Sequence, residues 1–300
     1  MPVTLQRLVE IRHFLTSAPQ AGGERSFFVG SSVLLEGIDC DVIDKNFSAS
    51  RKFYNISWTG GDPLQWLLLL PALQKSAPRE TVLCVDLIAM TRLRPVPDNI
   101  LAVAAWWKFI PPNRLEHYKK YFSDDEYSIL SSSPLKQLFA FRSFLPSTLD
   151  GYVREISRSE LRYDGYENNF KNPWVRRNKI SQRKLERALT LAQEKLENKS
   201  VDDSQAKLLN YIVASLTEGG TTVYLVLTPV NPAIDAAVRE PLVQKVSEAL
   251  GKIASGNKAF FVDCSALLPA GHFADDVHPD ASGRREWSSF MTVAIKKNLP

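Results

Sequence analysis

Cysteine is scarce in this 300-residue chain: only Cys40, Cys84 and Cys264 are present, with no C-x-x-C spacing and no histidine at ligand distance in sequence. That excludes a disulfide framework and argues against a zinc site, leaving three buried free thiols as the expectation. Histidine is nearly as rare, with four copies at His13, His117, His272 and His278. Long apolar runs are missing too. The longest, LLLL at 67–70, falls far short of the roughly 18 residues that a transmembrane helix needs. Near the N-terminus Arg7, Glu10 and Arg12 interrupt any signal-peptide core, so the chain as written reads as cytoplasmic. Charge of one sign is not in excess. A net charge of +4 does not point to a nucleic-acid partner. Internal repeats and low-complexity tracts are absent.

What is present is a globular composition, 44% hydrophobic, and a regular alternation of elements. RSFFVG, KFYNIS and TVLCVDLIAM read as strands, with the helix-like DPLQWLLLLPALQKSA between the second and third. Asp62 and Pro63 suit the start of that helix. The C-terminal third repeats the theme: SQAKLLNYIVASLT (helix), TTVYLVLTPV (strand), PLVQKVSEALGKIAS (helix), KAFFVDCSALL (strand) and SGRREWSSFMTVAIKK (helix). Strands that are continuously apolar and alternate with helices predict a mostly parallel sheet covered on both faces. The expected fold class is α/β, a three-layer α/β/α sandwich forming a single domain over 1–300. Residues 91–200 carry no strong strand signal and read as a helical insertion between the third and fourth strands, of the sort that forms lids or substrate walls.

Two short stretches carry chemistry. The first strand ends in Gly30-Ser31-Ser32, where a hydroxyl leaving the sheet can be presented with backbone N–H groups around it. Near the other end, FADDVHPDASG sets Asp275 three residues before His278. In a turn that spacing places a carboxylate beside an imidazole, leaving one ring nitrogen to take a proton from a serine. Taken alone, each stretch is an ordinary cap or turn. A metal reading of Asp275, Asp276 and His278 lacks a further ligand pattern, so no metal is expected.

Together, Gly-x-Ser after the first strand, NISWTGG after the second and Asp-x-x-His before the last helix resemble the SGNH (GDSL-type) hydrolase superfamily. The resemblance covers residues 25–90 and 205–295 and implies a flavodoxin-like sheet. It implies Ser32 as nucleophile, His278 as base and Asp275 as its orienting acid. It also implies Ser32 and Gly60 as oxyanion-hole donors, with no cofactor. Ser31 stands where the family has Asp. The family's Gly-x-Asn-Asp block is absent after the third strand, where the chain reads CVDLIAMTRL. A missing donor there costs on the order of 100- to 1000-fold in rate, unless Asn113, Asn168 or Asn169 replaces it. The GSS variant and LVLTPVNP resemble the branch that assists membrane-bound O-acyltransferases in acylating cell-surface polymers. That implies a glycan or small-molecule ester substrate and a membrane-bound acyltransferase partner. The Gly-x-Ser-x-Gly elbow of α/β-hydrolases is not present.

Ser31, Trp106, Trp107 and Trp174 are candidates to line a substrate; the tryptophans are equally suited to packing. Lys171, Arg176, Arg177, Lys179, Arg183, Lys184 and Arg187, with Phe170 and Trp174 interleaved, form either a solvated helix face or a polyanion site. His272 reads as a spacer near the loop. The expected activity is serine-dependent ester hydrolysis or O-acyl transfer, and the alternative is a catalytically inactive module of the same fold that binds a glycan or protein.

Overall fold

The computed structural model describes residues 3–16, 24–91, 95–132, 170–171 and 179–298. In chain order its main elements are α1 (Val3–Thr16), β1 (Glu24–Gly30), α2 (Ser32–Gly37), α3 (Cys40–Asp44), β2 (Arg51–Asn55), α4 (Pro63–Ser76), β3 (Glu80–Val85) and α5 (Leu87–Thr91). Then come α6 (Asp98–Trp106), α7 (Pro112–Tyr118), α8 (Asp124–Ser131), α9 (Gln182–Leu196), α10 (Asp203–Glu218), β4 (Thr222–Leu227), α11 (Ala236–Gly256), β5 (Phe260–Asp263) and α12 (Ala281–Lys297). They fall into two compact units, one holding α1, α4, α6, α7 and α8, the other the strands and the remaining helices.

In the strand-bearing unit five parallel strands form one sheet in the order β2-β1-β3-β4-β5. β1 runs in register with β2 on one side (Phe28 opposite Asn55) and with β3 on the other (Gly30 opposite Cys84). Because side chains alternate across a strand, Phe28, Phe53, Val82, Cys84, Tyr224, Val226 and Val262 share one face. There they join Leu34 of α2, Ile43 of α3 and Trp287, Met291 and Ile295 of α12 in one buried cluster. On the other side α10 and α11 lie against β4, and α11 also against β5. The result is the three-layer α/β/α arrangement. The three thiols are all buried, and burial raises the thiol of Cys264 to about 12.

Four strand candidates run past their elements, KFYNIS and TTVYLVLTPV by two or three residues and two others further, each of these turned by an aspartate. TVLCVDLIAM is a strand only to Val85, because the Asp86 carboxylate accepts the Ala89 N–H at 2.8 Å and starts α5. KAFFVDCSALL is a strand only over Phe260–Asp263, where Asp263 turns the chain by accepting the Ser265 N–H at 2.9 Å. At the opposite end of the sheet Glu80 is buried and accepts hydrogen bonds from Ser26, Arg51 and Arg79, tying β1, β2 and β3 together.

In the helical unit, Ser123 and Glu126 form a capping box at the start of α8. The other Glu126 oxygen accepts the Val96 N–H at 2.6 Å, so this buried carboxylate joins two segments of the unit. Among the described residues of 91–200 the regular elements are helical. No described helix is long and apolar enough to cross a membrane.

In this strand order β1 is flanked by the strands that follow it in either direction, and the crevice at the carboxyl ends of β1 and β3 is a topological switch point. Ser31 and Ser32 leave the sheet at that point.

Candidate active site

Ser31 caps α2: its Oγ accepts the Val33 N–H at 3.3 Å and donates to the Asp86 Oδ2 at 2.7 Å across the crevice. Ser31 is buried, so its hydroxyl serves to fix the turn between β1 and α2. Ser32, the first residue of that helix, is half-buried and points its hydroxyl the other way. Gly30 is required before them, since a Cβ there would lie 2.7 Å from the Leu34 side chain and 3.0 Å from the Cys84 carbonyl oxygen.

The DDVH loop meets this turn. Ser32 Oγ donates to His278 Nε2 at 2.9 Å, and His278 Nδ1 lies 2.9 and 3.0 Å from the two Asp275 oxygens. With a carboxylate at Nδ1, the ring proton sits there and the Nε2 lone pair faces the hydroxyl; the tautomer is assigned from this network. The structure thereby brings together, within hydrogen-bond reach, the serine, histidine and aspartate that the sequence singles out as candidate nucleophile, base and acid.

Asp275 also shapes the loop itself. Its Oδ1 accepts the N–H groups of Val277 (3.0 Å) and His278 (2.8 Å), while the Ala274 N–H returns to the His278 carbonyl at 2.8 Å. Burial pushes the Asp275 carboxyl up. The hydrogen bond and charge of the His278 ring, with the two backbone N–H groups, outweigh burial and hold it well below the usual carboxylate range. Asp276 behaves in the opposite way: burial, then the Asp275 charge, raises its carboxyl.

Further residues support the loop from outside it. Buried Asn231, after β4, donates to the Asp275 carbonyl at 3.1 Å and accepts the Ala233 N–H at 2.9 Å. The Ile180 N–H donates to the Ala274 carbonyl, and Lys179 reaches both the Gly271 carbonyl (2.6 Å) and Asp280 (3.1 Å). Lys179 of the basic run therefore braces this loop. Asp280 in turn caps α12 through the Ser282 and Gly283 N–H groups. His272 pairs with Glu286 at 2.8 Å on the surface.

Neither Asn231, Glu36 nor Asp86 stood out in the sequence. Glu36 is buried one helical turn after Ser32, with its Oε1 3.9 Å from His278 Nε2. That i, i+4 spacing was the available signal. Asp86 follows β3, and both of its oxygens accept hydrogen bonds, from Ser31 and Ala89. It supplies no donor to an oxyanion.

Gly60 is exposed, with φ +78°. Its neighbour Gly61 is buried against the Gly30 carbonyl, where a Cβ would stand 2.6 Å from that oxygen. Asn113 lies in α7, and Trp106 and Trp107 lie at the end of α6, all in the helical unit; Trp106 is exposed and Trp107 half-buried. Trp174, Asn168, Asn169, Arg176 and Arg177 lie outside the described residues. Among the described residues no group of three His, Cys, Asp or Glu side chains is placed to hold a metal ion.

No protein-family model matches the chain, and no curated protein matches it in sequence. Among solved structures it is similar to an acetylxylan esterase from Geobacillus stearothermophilus, at 11% identity and TM-score 0.46, covering 94% of this chain and 98% of that one. An aryl esterase from M. smegmatis matches at 9% identity and TM-score 0.42, covering 92% and 100%. A family two carbohydrate esterase from Clostridium thermocellum matches at 10% identity and TM-score 0.43, covering 94% and 66%.

Proposed function

We propose that the chain is a serine-dependent ester hydrolase of the SGNH type. The observation that carries the reading is the continuous relay from Ser32 Oγ through His278 to Asp275, with both links at 2.9 Å. Ser32 Oγ attacks the acyl carbonyl carbon as its proton passes to His278 Nε2. The Ser32 and Gly60 N–H groups receive the developing oxyanion. Collapse of the tetrahedral intermediate breaks the C–O bond, and the leaving alkoxide takes the proton from Nε2. The acyl-enzyme is then attacked by an acceptor hydroxyl, whose proton goes to Nε2 and returns to Ser32 Oγ. Water as acceptor releases the carboxylic acid, whereas a carbohydrate hydroxyl releases a new ester. No step calls for a cofactor.

Small acyl esters of carbohydrates are the proposed substrates, on the strength of the sequence resemblance. The same resemblance supports O-acyl transfer with a membrane-bound acyltransferase as partner. Asp86 supplies no donor, so with Ser32 and Gly60 alone around the oxyanion hydrolysis is slow, whereas a donor from Asn168 or Asn169 restores the rate.

The test is covalent labelling by a fluorophosphonate together with hydrolysis of 4-nitrophenyl acetate. Wild type should label, Ser32→Ala should not, and Ser32→Ala should lose activity by a factor on the order of 10^4 or more. A folded wild type that neither labels nor hydrolyses, or a Ser32→Ala variant that labels equally, overturns the reading.

A further inference from the structure

His278 has two carboxylates around it, and the mechanism above uses only Asp275. The second belongs to Glu36, whose Oε1 stands 3.9 Å from Nε2 with its side chain only 3% exposed. The placement follows from the helix. α2 begins at Ser32, and residues four apart share a helix face, so Glu36 rises directly behind the nucleophile. Glu36 thus faces the same ring nitrogen that Ser32 does, from one turn further along.

In the resting state Nε2 accepts the Ser32 hydroxyl and has no proton to offer Glu36. Once Ser32 attacks, Nε2 carries the proton and the ring becomes a cation. Asp275 then faces its Nδ1 side and Glu36 its Nε2 side. A buried carboxylate at this range interacts far more strongly with a charge than a solvated one does. It interacts little with a neutral ring. Its effect is therefore felt when the imidazolium forms, which is the condition for accelerating a chemical step rather than tightening ground-state binding.

We propose that Glu36 is a positioning residue of the relay, stabilising the His278 imidazolium from the side of the reacting proton. It holds the charged ring between two carboxylates while the proton passes from Ser32 Oγ to Nε2 and on to the leaving oxygen. Glu36 takes no proton itself, and no bond to it forms or breaks. The inference rests on the ester-hydrolase reading.

The experiment compares wild type, Glu36→Gln and Glu36→Asp with 4-nitrophenyl acetate, alongside melting curves and fluorophosphonate labelling. Gln keeps the volume and removes the charge. Expected for Glu36→Gln is a kcat lower by about 10- to 100-fold, a KM within about twofold, slower labelling and an unchanged melting temperature. Asp keeps the charge but withdraws it by one methylene, and should recover part of the lost kcat. A purely structural carboxylate would lose melting temperature and leave kcat per folded molecule unchanged, which overturns the proposal. So does a Glu36→Gln enzyme with wild-type kcat. If Glu36→Gln does not fold, Glu36→Asp decides: reduced kcat at unchanged KM supports the role, and wild-type kcat overturns it. Wild type that never labels defeats the ester-hydrolase reading itself. Wild type that labels beside a fully active Glu36→Gln defeats only the role of Glu36.

Discussion

Asp275 serves the site twice, since one carboxylate both orients the His278 ring and accepts the two N–H groups that close the turn. Asp275→Asn keeps the size but lets the amide hold the wrong tautomer, so kcat should fall by about 1000- to 10,000-fold in the 4-nitrophenyl acetate assay. The same variant should change acid stability. Because the folded carboxyl lies well below its usual range, its contribution is fully present above a pH of about 4. That contribution is lost as pH falls from there towards the folded value. The drop in urea midpoint between pH 7 and pH 3 should therefore be smaller in Asp275→Asn than in wild type. At this scale the sequence was most informative where partners are neighbours in the chain. Asp275 and His278 sit in one turn and could be paired on paper. Asn231 and Asp86 could not, because what each one holds is fixed by the folded sheet and not by spacing.

Among the elements, the turn after β2 is the one on which the oxyanion proposal depends. Gly61 has no room for a side chain, because the obstructing atom is the backbone oxygen of Gly30. Gly61→Ala should destabilise the protein by about 1–3 kcal/mol, lower the melting temperature by several degrees, and slow fluorophosphonate labelling. Gly60→Ala offers the contrast: its Cβ meets nothing, so only the left-handed backbone at φ +78° is penalised, by roughly 1 kcal/mol. Equal effects at the two positions would sink this account of the turn. Most elements were legible from apolar period and caps. α10 begins beside Asp202, which accepts the Ser204 and Gln205 N–H groups, and it ends at Gly219. The differences fall at element ends. TVLCVDLIAM is apolar throughout, and only the side chain of Asp86, aimed back at Ala89, turns it from strand to helix. α11 starts at Ala236 and runs through Pro241, a residue that in sequence looked like a beginning.

For the molecule as a whole, a parallel sheet covered on both faces followed from uninterrupted apolar strands. The strand order did not, because β1 separates β2 from β3 through pairings that no local pattern encodes. The burial of the cysteines gives a global check. Cys40, Cys84 and Cys264 all lie in the cluster between the sheet and α2, α3 and α12, and burial raises each thiol. Native protein should be inert to a thiol reagent such as dithionitrobenzoate, and all three thiols should react once guanidinium unfolds the chain. Prompt reaction of any one in the native state would mean that this layer opens.

β3 and β4 are hydrogen-bonded neighbours, yet the covalent path between them passes through α5 to α10. Ser32 belongs to the stretch before that long detour, and His278 with Asp275 to the stretch after it. On the proposed mechanism, a chain that stops short of residue 275 keeps the Ser32 hydroxyl but has neither His278 nor Asp275, so truncation there silences the relay rather than weakening it.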